Sequence, residues 1–380
     1  MIKFFEVEFE PYQLVILIVF VISLLIQLGY YLGIYSRIVF YKKKYQPTIA
    51  YEPVSIVICA RDEAVNLKQF LPSILDQRYP DYEVIVVNDC SHDNTEEVLE
   101  LFKQDYPHLR STIIKEDEKF FHGKKIALMI GIKAAKNDLL LLTDADCKAS
   151  HYDWLMNMQQ NFVEKTEVTL GYGGFFKEKG FLDKLIRYDG MFVALQYLSF
   201  ALVGMPYMGV GRNLSYRKSL FFKNKGFASH HHLFSGDDDL FVNEVANKNN
   251  TKVEIDPKSY TRTLQKTSFM DWFWQKGRHL TTSKKYQFKH KVMLMLEPLS
   301  RMLFYSLFAS LIVLGIFPIF VVSAFFIRLL IQLSIIKLTM KRLHEEDLLL
   351  SSLLFDVALP FIYIALGLTN LFIPKPRKWK

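Results

Sequence analysis

The chain is poor in cysteine. Three cysteines in 380 residues, Cys59, Cys90 and Cys147, include no C-x-x-C pair. That excludes a disulfide-stapled secreted fold, a zinc knuckle and a thioredoxin-type motif, and it suits a reduced cytosolic setting. A P-loop is absent, because His122-Gly123-Lys124 lacks the upstream glycine, and Gly171-Tyr172-Gly173-Gly174 is no dinucleotide fingerprint. Neither G-x-S-x-G nor H-E-x-x-H occurs, which removes the commonest serine-hydrolase and zinc-protease readings. Internal repeats, low-complexity tracts and long linkers are lacking as well. What abounds is apolar surface: 51% of residues are hydrophobic and 15% aromatic. Such a chain is not disordered, nor does it read as an ordinary all-soluble enzyme. The net charge of +8 fits nucleic acid or anionic lipid, and the placement of the charges decides between them.

No charge lies between Glu10 and Arg37, and Leu14–Leu32 is rich in Leu, Ile and Val. Crossing a hydrocarbon core of about 30 Å takes ~20 residues. The run exceeds the ~7–15-residue core of a signal peptide and no A-x-A-like site follows, so residues 1–37 read as an N-terminal anchor. Glu6, Glu8 and Glu10 precede it, whereas Arg37, Lys42, Lys43 and Lys44 follow, which places the next segment in the cytosol. Two more apolar regions run from Met302 past Arg328 to Ile336 and from Leu348 to Ile373, the latter interrupted only by Asp356. They predict two to three C-terminal spans within residues 300–373, the first region being one tilted span or a hairpin turning near Pro318. Three spans in total would leave the tail Lys375–Lys380 in the cytosol; four would keep Lys337, Lys341 and Arg342 there. Gly190–Gly211 is uncharged too, but Gly204, Pro206 and Gly209 punctuate it, and a crossing would separate the acidic motifs. It reads as apolar structure packed in the domain or lying at the membrane interface.

Between these ends, strand-like and helix-like patterns alternate over about residues 52–295. Val54–Cys59, Val84–Val87, Thr112–Ile114 and Leu139–Thr143 read as strands. Helices are expected over Ala64–Leu75, Glu96–Lys103 and Gly123–Lys136, with Ser91 and Asp93–Asn94 offering cap chemistry for the second. That order argues a mostly parallel α/β sheet, whose ligands bind beyond the carboxyl ends of its strands. Acidic residues stand at those ends: Asp62 and Glu63, Asp89, and Asp144 with Asp146. Asp144-Ala145-Asp146 can turn two carboxylates toward one hard cation, although a solvated strand end looks the same. Asp89 can accept from a base or ribose, or make an ordinary Asx-turn. In Ser235-Gly236-Asp237-Asp238-Asp239 three adjacent carboxylates need a cation, basic partners or a raised pKa, and one could be a general base. The rival is an acidic helix N-terminus. Trp272-Phe273-Trp274-Gln275-Lys276-Gly277-Arg278-His279 offers a guanidinium for phosphate, or an amphipathic surface helix. The triplet His230–His232 lacks metal-ligand spacing and reads as exposed loop.

In order, VSIVICARDEA (54–64), EVIVVNDCSHDNT (83–95), GKKIALMIGIKAA (123–135), LLTDADC (141–147), GVGRNLSYRKS (209–219), SGDDDLF (235–241) and QKGRH (275–279) resemble the family 2 inverting glycosyltransferases of the GT-A fold. The membrane-bound branch of cellulose, hyaluronan and poly-N-acetylglucosamine synthases and ceramide glucosyltransferases is the most similar, over about residues 50–290. The resemblance implies a catalytic domain over residues 50–295 and a Mg²⁺ or Mn²⁺ cofactor. Asp89 would contact the nucleoside, with Glu63 and Lys124 near it; Asp146 would hold the metal, with Asp144 beside the ribose or the metal. Asn213 would lie toward the acceptor, and Gln275 and Arg278 would meet the diphosphate. Aligned on E-D-x-D-L the base is Asp237; aligned on G-D-D it is Asp238.

Departures from the pattern are Asn88 for an aspartate, Cys90 for a glycine, and His279 for the tryptophan that closes over acceptor sugar. Trp272 or Trp274 could replace that tryptophan, and processivity is left open. The implied reaction moves a sugar from a nucleotide-sugar, UDP-linked by expectation, to a lipid-linked or polysaccharide acceptor, at a cell or inner membrane with the catalytic domain in the cytosol. Membrane lipids and synthase-complex partners fit this reading, and nucleic acid does not. The alternatives are a sugar nucleotidyltransferase, whose Gly-rich loop ARDEA lacks, and a non-catalytic subunit of a synthase, in which the acidic motifs would have decayed.

Overall fold

The apolar run at residue 54 becomes strand β1, Val54–Ala60, buried along its whole length. The structure, a computed structural model, describes residues 2–4, 7–43, 51–115, 123–163, 165–233 and 235–372. Lys44, His122 and the tail Lys375–Lys380 lie outside those residues. By internal contacts the chain forms two units, Lys42–Tyr286 with Ala365–Lys380, and Met1–Tyr41 with Gln287–Ile364.

In the first unit β1 leads to α1 (Ala64–Phe70), β2 (Tyr82–Asp89), α2 (Thr95–Asp105), β3 (Leu109–Ile114), α3 (Lys124–Ala134) and β4 (Leu139–Asp144). The helix expected over Ala64–Leu75 ends at Phe70, and Pro72 opens a separate turn, Pro72–Leu75. Proline lacks the N–H that would continue the ladder but suits a first helical turn. There follow β5 (Cys147–Ala149), β6 (Val168–Gly171), β7 (Gly173–Phe175), α4 (Phe181–Leu202), β8 (Leu214–Arg217), α5 (Asp239–Val245), β9 (Thr251–Glu254), β10 (Thr261–Thr263) and α6 (Phe269–Leu280).

The main sheet has seven strands in the order β9-β6-β8-β4-β1-β2-β3. β1 pairs in parallel with β2 and β4, Ile56 standing opposite Val84 and Leu141. Only β8 runs against its neighbours, which makes the sheet mixed, with the GT-A-like arrangement of strands and helices. A smaller sheet of three strands joins β5, β10 and β7. Apolar side chains of β1, β2 and β4 fill one core with Leu67, Leu71, Ile74 and Trp154. The uncharged stretch from Gly190 lies mostly in α4 and is packed inside this unit, with Met191, Leu195, Tyr197 and Leu198 buried.

The other unit carries helices long and apolar enough to cross a membrane. There are four such helices among the described residues, Pro11–Phe40, Phe288–Val313, Pro318–Leu343 and Glu346–Asn370, the last continuing past this unit. One is therefore N-terminal and three are C-terminal. The region after Met302 is a hairpin and not one tilted span: Gly315 and Phe317 take positive φ (67° and 43°) between the second and third helices. Arg328 and Asp356, the charges that interrupt the apolar runs, meet at 3.4 Å. Arg301 joins them, with Nη1 at 2.9 Å from Asp356 Oδ1 and Nη2 at 3.1 Å from Glu297 Oε2. Arg328 also donates to Tyr305 at 2.8 Å and to Gln27 and Gln332 at 2.9 and 2.7 Å. All four helices thus share one buried polar cluster whose two cations balance its two carboxylates, the arrangement that makes charge tolerable in lipid.

Candidate active site

Strand ends and helix starts bring the acidic motifs together. Glu63 and Asp89 leave β1 and β2 buried, and their loops are stapled to each other. Asp62 N donates to Ser91 Oγ at 2.9 Å, His92 N to Asp62 Oδ1 at 2.7 Å, Glu63 N to Thr95 Oγ1 at 3.0 Å, and Ala64 N to Asp93 Oδ2 at 2.9 Å. Cys90, where the family pattern has glycine, takes φ +54°. This is the left-handed region that glycine enters without steric penalty.

Lys124 is the first residue of α3, and its Nζ lies 2.7 Å from Asp144 Oδ1 and 3.4 Å from Asp237 Oδ2. One ammonium therefore joins the end of β4 to the acidic segment before α5. Burial works against its charge, yet Asp144, Asp237 and Asp238 together hold its pKa well above the ordinary lysine value. Lys124, Asp237, Asp144 and Asp89 all act on the buried Cys59 thiol at the end of β1, which places the four charges around one strand end.

Asp144, Asp146 and Cys147 offer ligand atoms within 4.8 Å of one another. Burial first, then the charges of Asp144 and Glu63, raise the Asp146 pKa; Thr263 and Arg212 work the other way. Burial also raises the Cys147 thiol well above its usual value, so it stays protonated. A hard cation prefers carboxylates and phosphate oxygens over a thiol. The donor set fits Mg²⁺ or Mn²⁺ on Asp146, helped by Asp144.

The three aspartates of the SGDDD segment differ in what they touch. Gly236 before them has φ +101°, and a Cβ there would lie 2.5 Å from Leu240 Cδ1, so the turn requires glycine. Asp238 caps α5: its Oδ1 accepts from Asp239 N and its Oδ2 from Gly211 N, both at 2.7 Å. Burial, then Asp237 and Asp239, push its pKa up to about 7. Asp239 accepts from Thr282 Oγ1 and from Tyr286 OH at 2.8 Å, which fixes it as a buried anchor. Asp237 is buried with Lys124 as its partner.

Helix α6 supplies the remaining polar groups. Arg278 is drawn below its usual pKa by burial, opposed by Asp237, and its buried Nε has no hydrogen-bond acceptor. Protein packed round His279, then the charges of Lys276, Arg278, Arg212 and Lys124, hold its imidazole well below the ordinary value, although solvent still reaches the ring. Lys276 pairs with the buried Asp189 on α4. Gln275 and Trp274 are half-buried on the same helix, the Trp274 ring meeting Phe273 edge-on at 5.8 Å.

Asn213, expected toward the acceptor, is fully buried: its Oδ1 accepts from Trp154 Nε1 at 3.0 Å, and its Nδ2 donates to Tyr172 O and Ser259 O at 2.9 and 2.7 Å. Its polar atoms are spent on holding the sheet. The triplet His230–His232 is only partly exposed, because His230 is buried with Nδ1 at 2.8 Å from Ser229 Oγ and 3.2 Å from Glu244 Oε1. The sequence reading missed Lys125, which donates to His230 O and Leu233 O at 2.8 and 3.0 Å and whose pKa burial lowers to about 8. It also missed Arg212, whose signal was a basic residue inside Gly-Arg-Asn.

A mixed sheet with acidic residues at its strand ends, and a lysine that joins one of them, Asp144, to Asp237 before α5, is a GT-A-like arrangement. The fold is shared with a mannosyltransferase from Pyrobaculum calidifontis solved with GDP-Man and Mn²⁺, at TM-score 0.60 and 16% identity over 95% of this chain and 99% of that one. Residues 55–228 match the profile of glycosyl transferase family 2. The chain carries a family 2 glycosyltransferase domain. Among curated relatives, glycosyltransferase AglE of Haloferax volcanii is 36% identical over 104 residues, 27% of this chain and 33% of that protein. Poly-beta-1,6-N-acetyl-D-glucosamine synthase of Staphylococcus epidermidis is 31% identical over 117 residues, 30% of this chain and 25% of that one. The matched segments thus span a third or less of those relatives.

Proposed function

We propose that the protein is a membrane-bound inverting glycosyltransferase that moves a sugar from a nucleotide-sugar, UDP-linked in the first instance, to a hydroxyl of a lipid-linked or glycan acceptor. Residues 50–295 are its catalytic domain, on the cytosolic side, and residues 1–37 and 300–373 anchor it. The observation that carries this reading is Lys124 joined to both Asp144 and Asp237, with Arg278 acting on the same Asp237 and holding a buried, unspent N–H. Carboxylates and cations so interleaved suit a substrate that is anionic at one end and carries a hydroxyl at the other.

Asp89 and Glu63 take the nucleoside and Lys124 stands beside its phosphates. Asp146, with Asp144, would hold a Mg²⁺ or Mn²⁺ ion, which neutralises diphosphate charge when bound. Asp237 accepts the proton of the acceptor hydroxyl as that oxygen attacks the anomeric carbon. Attack opposite the leaving diphosphate inverts the configuration in a single displacement. Arg278, with Gln275 near it, stabilises charge that grows on the departing diphosphate. Trp274 and His279 lie on the acceptor side. The spans support an acceptor, or a product, that belongs to the membrane.

The test is thermal stabilisation of the purified chain in detergent by UDP- and GDP-sugars, with and without Mn²⁺, beside transfer to a membrane lipid extract. Asp146→Asn should lose the metal-dependent shift, and Asp237→Asn should keep it but lose transfer. Wild type showing no metal-dependent shift with any nucleotide-sugar would sink the reading.

A further inference from the structure

Arg212 is a cation held in place with its donors unspent. Its carbonyl accepts from Thr143 Oγ1 and Thr261 Oγ1, each at 3.0 Å. The residues on either side are fixed too, Gly211 by its bond to Asp238 at 2.7 Å and Asn213 by its bonds to Trp154, Tyr172 and Ser259. The guanidinium carbon lies 4.5 Å over the centre of the Phe175 ring. Phe175 is backed by α4, where a Cβ on Gly190 would come within 2.6 Å of the ring, so the close approach needs glycine. Stacking occupies a face of the guanidinium and leaves its N–H edge for an acceptor. No hydrogen bond or ion pair takes that edge among the described residues.

The surroundings identify the missing acceptor. The charges of Arg212, Arg278, Lys276 and Lys124 all converge on His279, and that of Arg212 reaches Asp146. Lys124 is already matched by Asp144 and Asp237, and Lys276 by Asp189. Arg278 and Arg212 are left with N–H groups to give. A guanidinium edge fits a pair of oxygens on one phosphorus, which an ammonium cannot grip in the same way.

We propose that Arg212, supported by Phe175, is a substrate-phosphate-binding residue of this site. The assignment rests on the nucleotide-sugar reading for the substrate's class. The phosphate belongs to the donor's diphosphate or to an acceptor that carries a phosphate, and the two sources separate by experiment.

The full chain in detergent would be compared with Arg212→Gln, Arg212→Lys and Phe175→Leu, each checked for an unchanged melting temperature. One arm measures UDP and GDP binding with Mn²⁺ by calorimetry. A second measures the KM of a polyprenyl monophosphate and of an uncharged glycolipid acceptor. A third follows phenylglyoxal modification of Arg212 in wild type by mass spectrometry, with and without inorganic pyrophosphate.

Loss of a charge-assisted contact predicts about ten- to hundredfold weakening in Arg212→Gln, partial recovery in Arg212→Lys, and a smaller loss in Phe175→Leu. Weakened diphosphate binding assigns Arg212 to the donor. A raised KM confined to the phosphorylated lipid assigns it to the acceptor. Unchanged binding and KM, with Arg212 modified as fast in pyrophosphate as without it, would overturn the proposal. Should Arg212→Gln not fold, the lysine variant and the protection arm decide. Protection by pyrophosphate in a wild type that binds no nucleotide would remove the glycosyltransferase reading and leave the phosphate site standing.

Discussion

The amide of Gly211 donates to Asp238 Oδ2 at 2.7 Å, while the other oxygen of that carboxylate accepts from Asp239 N. Both oxygens serve the backbone. Among the described residues Asp237, one position earlier, has a lysine ammonium at 3.4 Å as its one polar partner, and no backbone N–H holds its oxygens. The two alignments of the acidic motif left the base undecided, and this difference in engagement favours Asp237. Asp237→Asn should lower kcat by about 10²–10⁴ with nucleotide binding kept. Asp238→Asn keeps one acceptor oxygen for Asp239 N or Gly211 N and turns an amide N–H toward the other, so it should cost about 1–2 kcal/mol of stability and less in rate. Rates on both variants, beside their unfolding curves, check this. The reverse ranking would move the base to Asp238.

Asp238 also sets a pH dependence. Burial and its acidic neighbours raise its pKa from 3.8 to about 7. A carboxyl whose pKa is higher in the folded state favours folding while protonated. Its contribution is therefore complete below the unfolded value near pH 4 and is lost as pH rises through about 7. In chelator, the melting temperature should fall from about pH 5 to about pH 8, and Asp238→Asn should flatten that slope. An unaltered slope in the variant would mean that another group titrates.

Much of the sheet was legible because its strands are buried on both faces and read as unbroken apolar runs, as in Leu139–Thr143. The acidic residues at their ends followed from the same parallel geometry. Strands such as β5, β7 and β10 hold three residues each, too few for any periodicity to register. The role of Asn213 was illegible for another reason. An amide in a loop motif looks like a ligand contact until its partners Trp154, Tyr172 and Ser259, distant in sequence, are known. Arg212 is the converse case: its local mark, a basic residue inside Gly-Arg-Asn, does not tell where it points, and its orientation is set by Phe175 on β7.

Cys90 tests the turn that follows Asp89. Its φ of +54° costs an L-residue about 1–2 kcal/mol, which glycine avoids at ~0.5–1 kcal/mol of extra chain entropy. The thiol recovers something by reaching Ile114 O at 3.2 Å. Cys90→Gly should therefore change stability by less than about 1 kcal/mol. Cys90→Val places a β-branched residue in the left-handed region and should destabilise by about 2 kcal/mol or more while weakening nucleotide binding, because Asp89 shifts with the turn. Melting curves and nucleotide titrations on both variants measure the effect. Equal behaviour of glycine and valine would show that the turn does not constrain Asp89.

The polar cluster of the spans makes a prediction through charge balance. Asp356 receives Arg301 at 2.9 Å, Tyr305 at 2.6 Å and Arg328 at 3.4 Å. Asp356→Leu leaves two arginines with one carboxylate, Glu297, and should destabilise the helices by about 3–5 kcal/mol. Asp356→Asn keeps hydrogen bonds without the charge and should cost less. The informative variant is the pair Asp356→Leu with Arg328→Met, which removes one charge of each sign and leaves Arg301 with Glu297 at 3.1 Å. If neutrality is what the cluster requires, the pair is more stable than Asp356→Leu alone, although more residues have changed. Unfolding in detergent of wild type, both singles and the pair gives the coupling directly, and additive losses would mean that Arg328 and Asp356 stabilise the helices independently of each other.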